Sequence, residues 1–301
     1  MVHVVGHYDV ANNIIVQLYG TKRIRCYPPS KGIYNLHVYP DAHPKARKSQ
    51  VDFDIVDNDN DDDDVHKERF PHYYYNEDIP KPTLDVILQP GDALEIPAFT
   101  FHHVENGHIP NAKEEEEEED ENNGHVDLPS VSLNSFALSK PMMIAQGIFQ
   151  KASRPMGRNV TTEDLQLYAP SILRALGVRL IQQLDIDNTA GKEVEFIRKY
   201  LLEARYSPLM DSTDDGNKTN EEMHIQKILT NEQVQTINSC IERIIPDFHL
   251  LIDKEDHGED NSSHDDGKGI VLLVAFHLME LWAVELVGAE SVASAWDDAL
   301  S

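Results

Sequence analysis

His7-Tyr8-Asp9, read together with His102 in Pro97-Ala98-Phe99-Thr100-Phe101-His102-His103-Val104, decides the fold. Alternate side chains of a strand share one face. His7 and Asp9 can therefore point inward together while Tyr8 points away. A distant histidine on another strand completes a set of two imidazoles and one carboxylate. Such a set leaves half of an octahedron open, which suits non-heme Fe(II) and its oxygen chemistry. In a chain with 15 histidines, His-x-Asp spacing alone says little. Its surroundings make it specific.

Working outward, residues 1–139 read as β. Asn13–Tyr19 is rich in Ile and Val and ends at Gly20. Thr21–Tyr27 alternates and stops at Pro28-Pro29. Leu84–Leu88 and Ala93–Ile96 flank a Pro90-Gly91 turn, and Val131–Leu138 alternates again. Short strands with Pro and Gly punctuation suggest a sandwich or barrel. Residues 140–301 read as a helical region. An amphipathic run opens at Thr161 and continues to Leu184, with a break expected at Pro170. A second covers Lys192–Ala204. Thr230-Asn231-Glu232-Gln233 is a capping box, followed by Val234, Ile237, Ile241 and Ile244 at helical spacing. Gly269–Ala299 is predicted as one last, apolar helix. Segments 211–222 and 253–268 are polar and read as mobile linkers.

The net charge is −27, and two acidic runs supply roughly half of it. They fall in 57–64 and 112–124 and read as solvated loop insertions, because blocks of like charge repel. A basic partner for these runs is a minor alternative. Binding to duplex DNA is disfavoured, since nucleic-acid affinity rests on basic phosphate contacts. Two cysteines give no disulfide framework and fit a reducing compartment, cytoplasmic or nuclear. The apolar stretch 270–288 carries His277, Glu280 and Glu285, so it reads as a buried helix and not as a membrane span.

Several segments follow one another in a fixed order. They are His7-Tyr8-Asp9, Asn13, Gln17-Leu18-Tyr19-Gly20-Thr21-Lys22-Arg23, Pro28-Pro29, Gln50-Val51-Asp52-Phe53-Asp54, Arg69-Phe70-Pro71, Leu88 to Pro97, His102-His103-Val104 and Ser132-Leu133-Asn134. The set resembles the JmjC/cupin-like Fe(II)- and 2-oxoglutarate-dependent hydroxylases. It is most similar to the factor-inhibiting-HIF-like asparaginyl hydroxylase and wybutosine-tRNA hydroxylase branch. The resemblance covers about residues 4–138 and implies a double-stranded β-helix (jelly-roll, cupin) core followed by helices. It implies His7, Asp9 and His102 as metal ligands and catalytic centre, with His103 as a neighbour. Lys22 would pair with the distal carboxylate of 2-oxoglutarate. Asn13 and Asn134 match polar positions near cosubstrate and metal, although strand-end or turn roles fit them equally. The implied reaction takes Fe(II), 2-oxoglutarate and O2, and hydroxylates a substrate C–H bond. A protein side chain is the favoured substrate over a modified tRNA base, given the acidic balance.

Some positions depart from the pattern. Val4 replaces a threonine that would bond 2-oxoglutarate, Phe101 replaces a tryptophan, and Glu95 stands at a usually apolar position, where a strand could turn it outward. Relatives carry a long region before His-x-Asp, so the expectation is a truncated chain with an open sheet edge, or one covered by another chain. The competing reading is a catalytically impaired or truncated cupin-like binding or scaffold protein. Val271, Val274, Leu278, Leu281, Trp282 and Leu286 form an apolar face suited either to a homodimer or to packing within the chain.

Overall fold

Gly20 reverses the chain between β2 (Asn12–Tyr19) and β3 (Thr21–Tyr27). Its φ is +66°, and a Cβ there would stand 2.5 Å from the Pro129 carbonyl oxygen. Only glycine meets both demands. The computed structural model describes residues 2–51, 53, 67–74, 81–107, 129–156, 162–186, 189–209, 228–252 and 262–301. Both acidic runs, segment 211–222 and the first part of 253–268 lie outside these residues. The side chain of Val4 is likewise not described.

The remaining strands are β1 (Val2–Tyr8), β4 (Leu84–Leu88), β5 (Ala93–Ile96), β6 (Phe101–Gly107) and β7 (Val131–Ala137). They form a four-stranded sheet in the order β1-β6-β3-β4 and a three-stranded sheet in the order β5-β2-β7. All pairings are antiparallel. The sheets face each other across a small core of Ile15, Ile24, Cys26, Leu88, Ile96 and Val104. Among the described residues the two sheets do not close into a barrel. The observed architecture is thus two facing sheets followed by helices, coarser than the expected double-stranded β-helix.

The outer face of the four-stranded sheet is also buried. Tyr8, Tyr27 and Phe101 there join a larger core that runs through the helices to Leu300. This core crosses the 139/140 boundary between the β and helical regions. The helices are α1 (Pro29–Asn35), α2 (Pro71–Tyr74), α3 (Lys140–Ala152), α4 (Thr162–Leu184), α5 (Glu193–Ile197, continued by a π turn, Arg198–Glu203), α6 (Asn231–Ile252), α7 (Ser262–Val287) and α8 (Val292–Leu300). The first two interrupt the β half, and the sequence reading did not foresee them. The capping box at α6 forms as expected. Gln233 N–H donates to Thr230 Oγ1 at 3.2 Å, and Thr230 N–H donates to Gln233 Oε1 at 2.8 Å.

Three expectations need correction. Pro170 does not break α4, which passes through it. Leu173, Leu176 and Leu180 downstream are fully buried, and their packing outweighs the roughly 3 kcal/mol cost of an internal proline. Gly269–Ala299 is not one helix. Gly288, at φ +82°, ends α7 and a short turn leads into α8. Residues 262–268 are not a linker but the first turns of α7. Two contacts hold them: Ser30 Oγ donates to Asp266 Oδ1 at 3.1 Å, and Gly269 meets α1 so closely that a Cβ would stand 2.2 Å from Ser30 N. Of the apolar face suited either to a homodimer or to packing within the chain, Val271, Val274, Leu278, Trp282 and Leu286 are buried and Leu281 is half-buried.

Residues Asp266–Val287 are long and apolar enough to cross a membrane, with a mean hydropathy of 2.1. In this fold the helix is apolar all round because other elements surround it. Trp282 Nε1 donates to the Ala152 carbonyl at 3.1 Å. Arg205 Nη1 lies 2.9 Å from Glu280 Oε1, and both residues are buried.

Candidate metal centre

A bulge in β1 sets the site. The register runs Val4 to Val104 and then His7 to His102, so β1 has one residue more than β6 over that span. Bulges re-aim side chains. This one places His7 directly opposite His102, with ring centroids 4.3 Å apart. On its other side β1 is held by segment 47–49. Tyr8 N–H donates to the Arg47 carbonyl at 3.2 Å, and Ser49 N–H donates to the Gly6 carbonyl at 2.7 Å.

Asp9 follows the end of β1 and is fixed from the Pro97–Thr100 turn. Phe99 N–H donates to the Asp9 carbonyl at 2.6 Å, and Ala98 N–H donates to Asn12 Oδ1 at 3.0 Å. Phe99 takes a left-handed conformation, φ +64°, to make this turn. Ser139 also secures the region, since its hydroxyl donates to the Val10 carbonyl at 3.0 Å while it caps α3.

His7, Asp9 and His102 each offer one ligand atom, and these atoms lie within 4.8 Å of one another. His102 Nε2 is 3.8 Å from Asp9 Oδ2. Two donors bound at ~2.1 Å to one metal stand roughly 3–4 Å apart, so the cluster is close to that requirement. Both rings are oriented by the backbone. His7 Nδ1 bonds the Val5 carbonyl at 3.0 Å, and His102 Nδ1 bonds the Thr100 carbonyl at 3.1 Å. A carbonyl only accepts, so each Nδ1 carries the proton and each Nε2 keeps its lone pair. That is the tautomer a metal needs. The donor set therefore fits a divalent first-row metal with open positions.

Burial, and then the neighbouring His7, push the His102 pKa down from 6.5 to about 4. A histidine depressed in the folded state leaves stability intact above 6.5 and loses it as pH falls toward 4. Metal-free protein is thus expected to lose more stability between pH 6.5 and 4 than His102→Phe, which urea denaturation across that range measures.

The other anticipated residues divide. Asn13 is buried, and its Nδ2 reaches Asp9 Oδ2 at a long 3.5 Å. Its Oδ1 is buried with no hydrogen-bond partner among the described residues. Lys22 lies on the inward face of β3 with Ile24 and Cys26, and Cys26 pairs in register with His102. Its α-carbon is thus roughly 13 Å along the strand from the level of the triad. Its ammonium crosses the gap between the sheets to donate to Ser132 Oγ on β7. Burial lowers the Lys22 pKa. Asn134 pairs with Ile15 but is exposed, and among the described residues no contact joins it to the triad.

His103 turns to the outer face, stacked on Phe53 at 5.0 Å. Phe101 is fully buried against Tyr8, and Glu95 is exposed, as an outward strand position requires. Gln17 and Ser132 were quoted in the sequence pattern but given no role. Gln17 is fully buried. Its Nε2 donates to the carbonyls of Tyr19 and Gly20 and to Ser130 Oγ, so it clamps the β2–β3 turn onto β7. A glutamine at an inward position of a strand was the available signal.

Residues 2–135 match the family model of the cupin-like domain. This stretch holds both sheets and all three candidate ligands. It is a cupin-superfamily domain whose His/Asp/His cluster is consistent with the fold of Fe(II)- and 2-oxoglutarate-dependent oxygenases.

Proposed function

We propose that this protein is an Fe(II)- and 2-oxoglutarate-dependent oxygenase that hydroxylates a protein side chain. The observation that carries this reading is the convergence of His7, Asp9 and His102, with both Nδ1 atoms engaged by backbone carbonyls. Those three residues would hold the iron. With 2-oxoglutarate and O2, iron would supply the oxidising chemistry, inserting oxygen into a C–H bond.

The chain's own residues supply position and shielding. Lys22 is a half-buried cation bonded to a hydroxyl, and no carboxylate pairs with it among the described residues. A dicarboxylate lying between Lys22 and the triad would compensate that charge, which burial otherwise makes costly. Asn13 Oδ1, buried and unsatisfied, faces the same need for a partner. Ile24 and Val104, between the two levels, keep the space apolar. On this reading the two facing sheets would correspond to the double-stranded β-helix core of this class. The net charge of −27 favours a protein substrate over RNA, and this protein would act in the cytoplasm or nucleus.

A second reading, a catalytically silent binding module, is favoured by the exposed β7. Val131, Leu133 and Phe136 on that strand are exposed, and β7 pairs only with β2 among the described residues.

Succinate release from 2-oxoglutarate separates the two. Wild type with Fe(II) is expected to release succinate. Lys22→Met removes one charge-assisted contact, about 1.5–3 kcal/mol, and should raise the KM for 2-oxoglutarate by roughly 10–100-fold with a smaller change in kcat. Wild type that releases no succinate leaves the binding-module reading.

A further inference from the structure

Tyr8 separates the two ligands His7 and Asp9 and faces the opposite side of β1. There it enters a second space. A cavity of ≈ 300 Å³ lies between β1, the Pro97–Thr100 turn, α3 and α7. That volume is at the lower end of small-molecule pockets, ~300–1,000 Å³. Its walls are largely apolar, with Val10, Phe99, Met142, Phe149 and Val274 among the lining side chains.

Four polar groups, Tyr8, Arg47, His277 and Gln146, interrupt this lining. Tyr8 is only 3% exposed. It lines the cavity, and its phenol is a hydrogen-bond donor there. His277 Nδ1 is 2.9 Å from Asp41 Oδ2, and its ring is stacked on Phe149. Its Nε2 is thereby left for another partner. Arg47 is exposed and lines the cavity. Its backbone is held at φ +67°, with its carbonyl taken by Tyr8 N–H, and its guanidinium pairs with no carboxylate among the described residues.

We propose that this cavity binds a small apolar carboxylate, with its ring or branched chain among Val10, Phe99, Met142, Phe149 and Val274 and its anionic end on the Tyr8 hydroxyl and the Arg47 guanidinium. A neutral ligand would fill the apolar part but leave Arg47 unused. A cationic one would meet Arg47 directly. The Asp41 carboxylate nearby does not oppose an anion strongly, because it is already engaged by His277 and by Arg205 at 4.0 Å. This site is separate from the candidate metal centre, since it lies on the other face of β1.

The test is calorimetric titration of the full chain with 3-phenylpropionate, in EDTA so that no metal contributes. The neutral 3-phenylpropan-1-ol serves as comparator. Wild type is expected to bind one equivalent of 3-phenylpropionate, at least tenfold more tightly than the alcohol. Arg47→Ala, at an exposed position, should remove that preference. Met142→Trp should fill the cavity and abolish binding. His102→Ala should bind as wild type does, whatever becomes of the oxygenase reading. No saturable binding to wild type would overturn the proposal. So would equal binding by Arg47→Ala and wild type, or loss of binding in His102→Ala.

Discussion

His102→Ala is expected to abolish stoichiometric Fe(II) binding and, with it, succinate release. His102 is the ligand that β6 contributes, and its ring is held by the Thr100 carbonyl in the orientation a metal requires. Losing only a hydrogen-bond partner of a metal ligand typically costs about 10–100-fold in affinity or activity. Losing a ligand from a set of three should exceed that, so a fall of more than about 100-fold is expected. The variant should nonetheless fold. His102 is buried at low pKa, so removing the imidazole costs packing but leaves no buried charge behind. Iron content per chain after anaerobic loading, set against circular dichroism of the same sample, distinguishes metal loss from unfolding.

Arg205→Met is expected to have the largest effect on stability, about 3–5 kcal/mol. Arg205 is 2% exposed and lies among Glu280, Asp41, Tyr8 and Tyr206. Burial pushes the Glu280 carboxyl well up, with Asp41 adding to the shift and Arg205 opposing it. Burial pushes Asp41 up as well, but the hydrogen bond to His277 and the charge on Arg205 outweigh it and hold Asp41 down at about 2. Without the guanidinium, Glu280 loses the positive charge that opposes its shift, and Asp41 is left with His277. The double variant Arg205→Met/Glu280→Leu should recover most of the loss, because an apolar pair of similar volume replaces a buried ion pair at little cost. Recovery should stay incomplete, since Asp41 N–H donates to Glu280 Oε2 at 2.7 Å and would lose that acceptor. Urea denaturation of the three proteins at neutral pH measures the pattern.

Much of the β half was legible because its signals are local. Gly20, Pro28 and the Pro90-Gly91 pair end strands by their own backbone restrictions, and alternation between them marks faces. The pairing of His7 with His102 was legible only as an ordered motif, because the bulge that aligns them depends on β6 lying alongside β1. The helical half was harder to read for a physical reason. Its boundaries are set by partners distant in sequence. Pro170 sits inside a helix because leucines beyond it are buried. The polar segment before Gly269 is helical because Asp266 and Gly269 meet α1. The Arg205–Glu280–Asp41 cluster draws its members from three separate regions, and no local pattern announces it.

Asn134 shows the same limit at the site. The resemblance implies that Lys22 and Asn134 both lie near a cosubstrate; the fold carries Lys22 into the space between the sheets but leaves Asn134 exposed on β7. Whether a residue at an inward strand position is enclosed depends on what covers the neighbouring edge. For β7, the described residues provide cover on one side only.

On the proposed function, the three ligands and Lys22 form one site for iron and 2-oxoglutarate. Anaerobic calorimetric titration of metal-free protein, with Fe(II) added first and 2-oxoglutarate second, tests this. One Fe(II) per chain is expected, followed by one 2-oxoglutarate that binds only after the metal and more weakly in Lys22→Met. Binding of no Fe(II), or binding of 2-oxoglutarate to the same extent without metal, would contradict it.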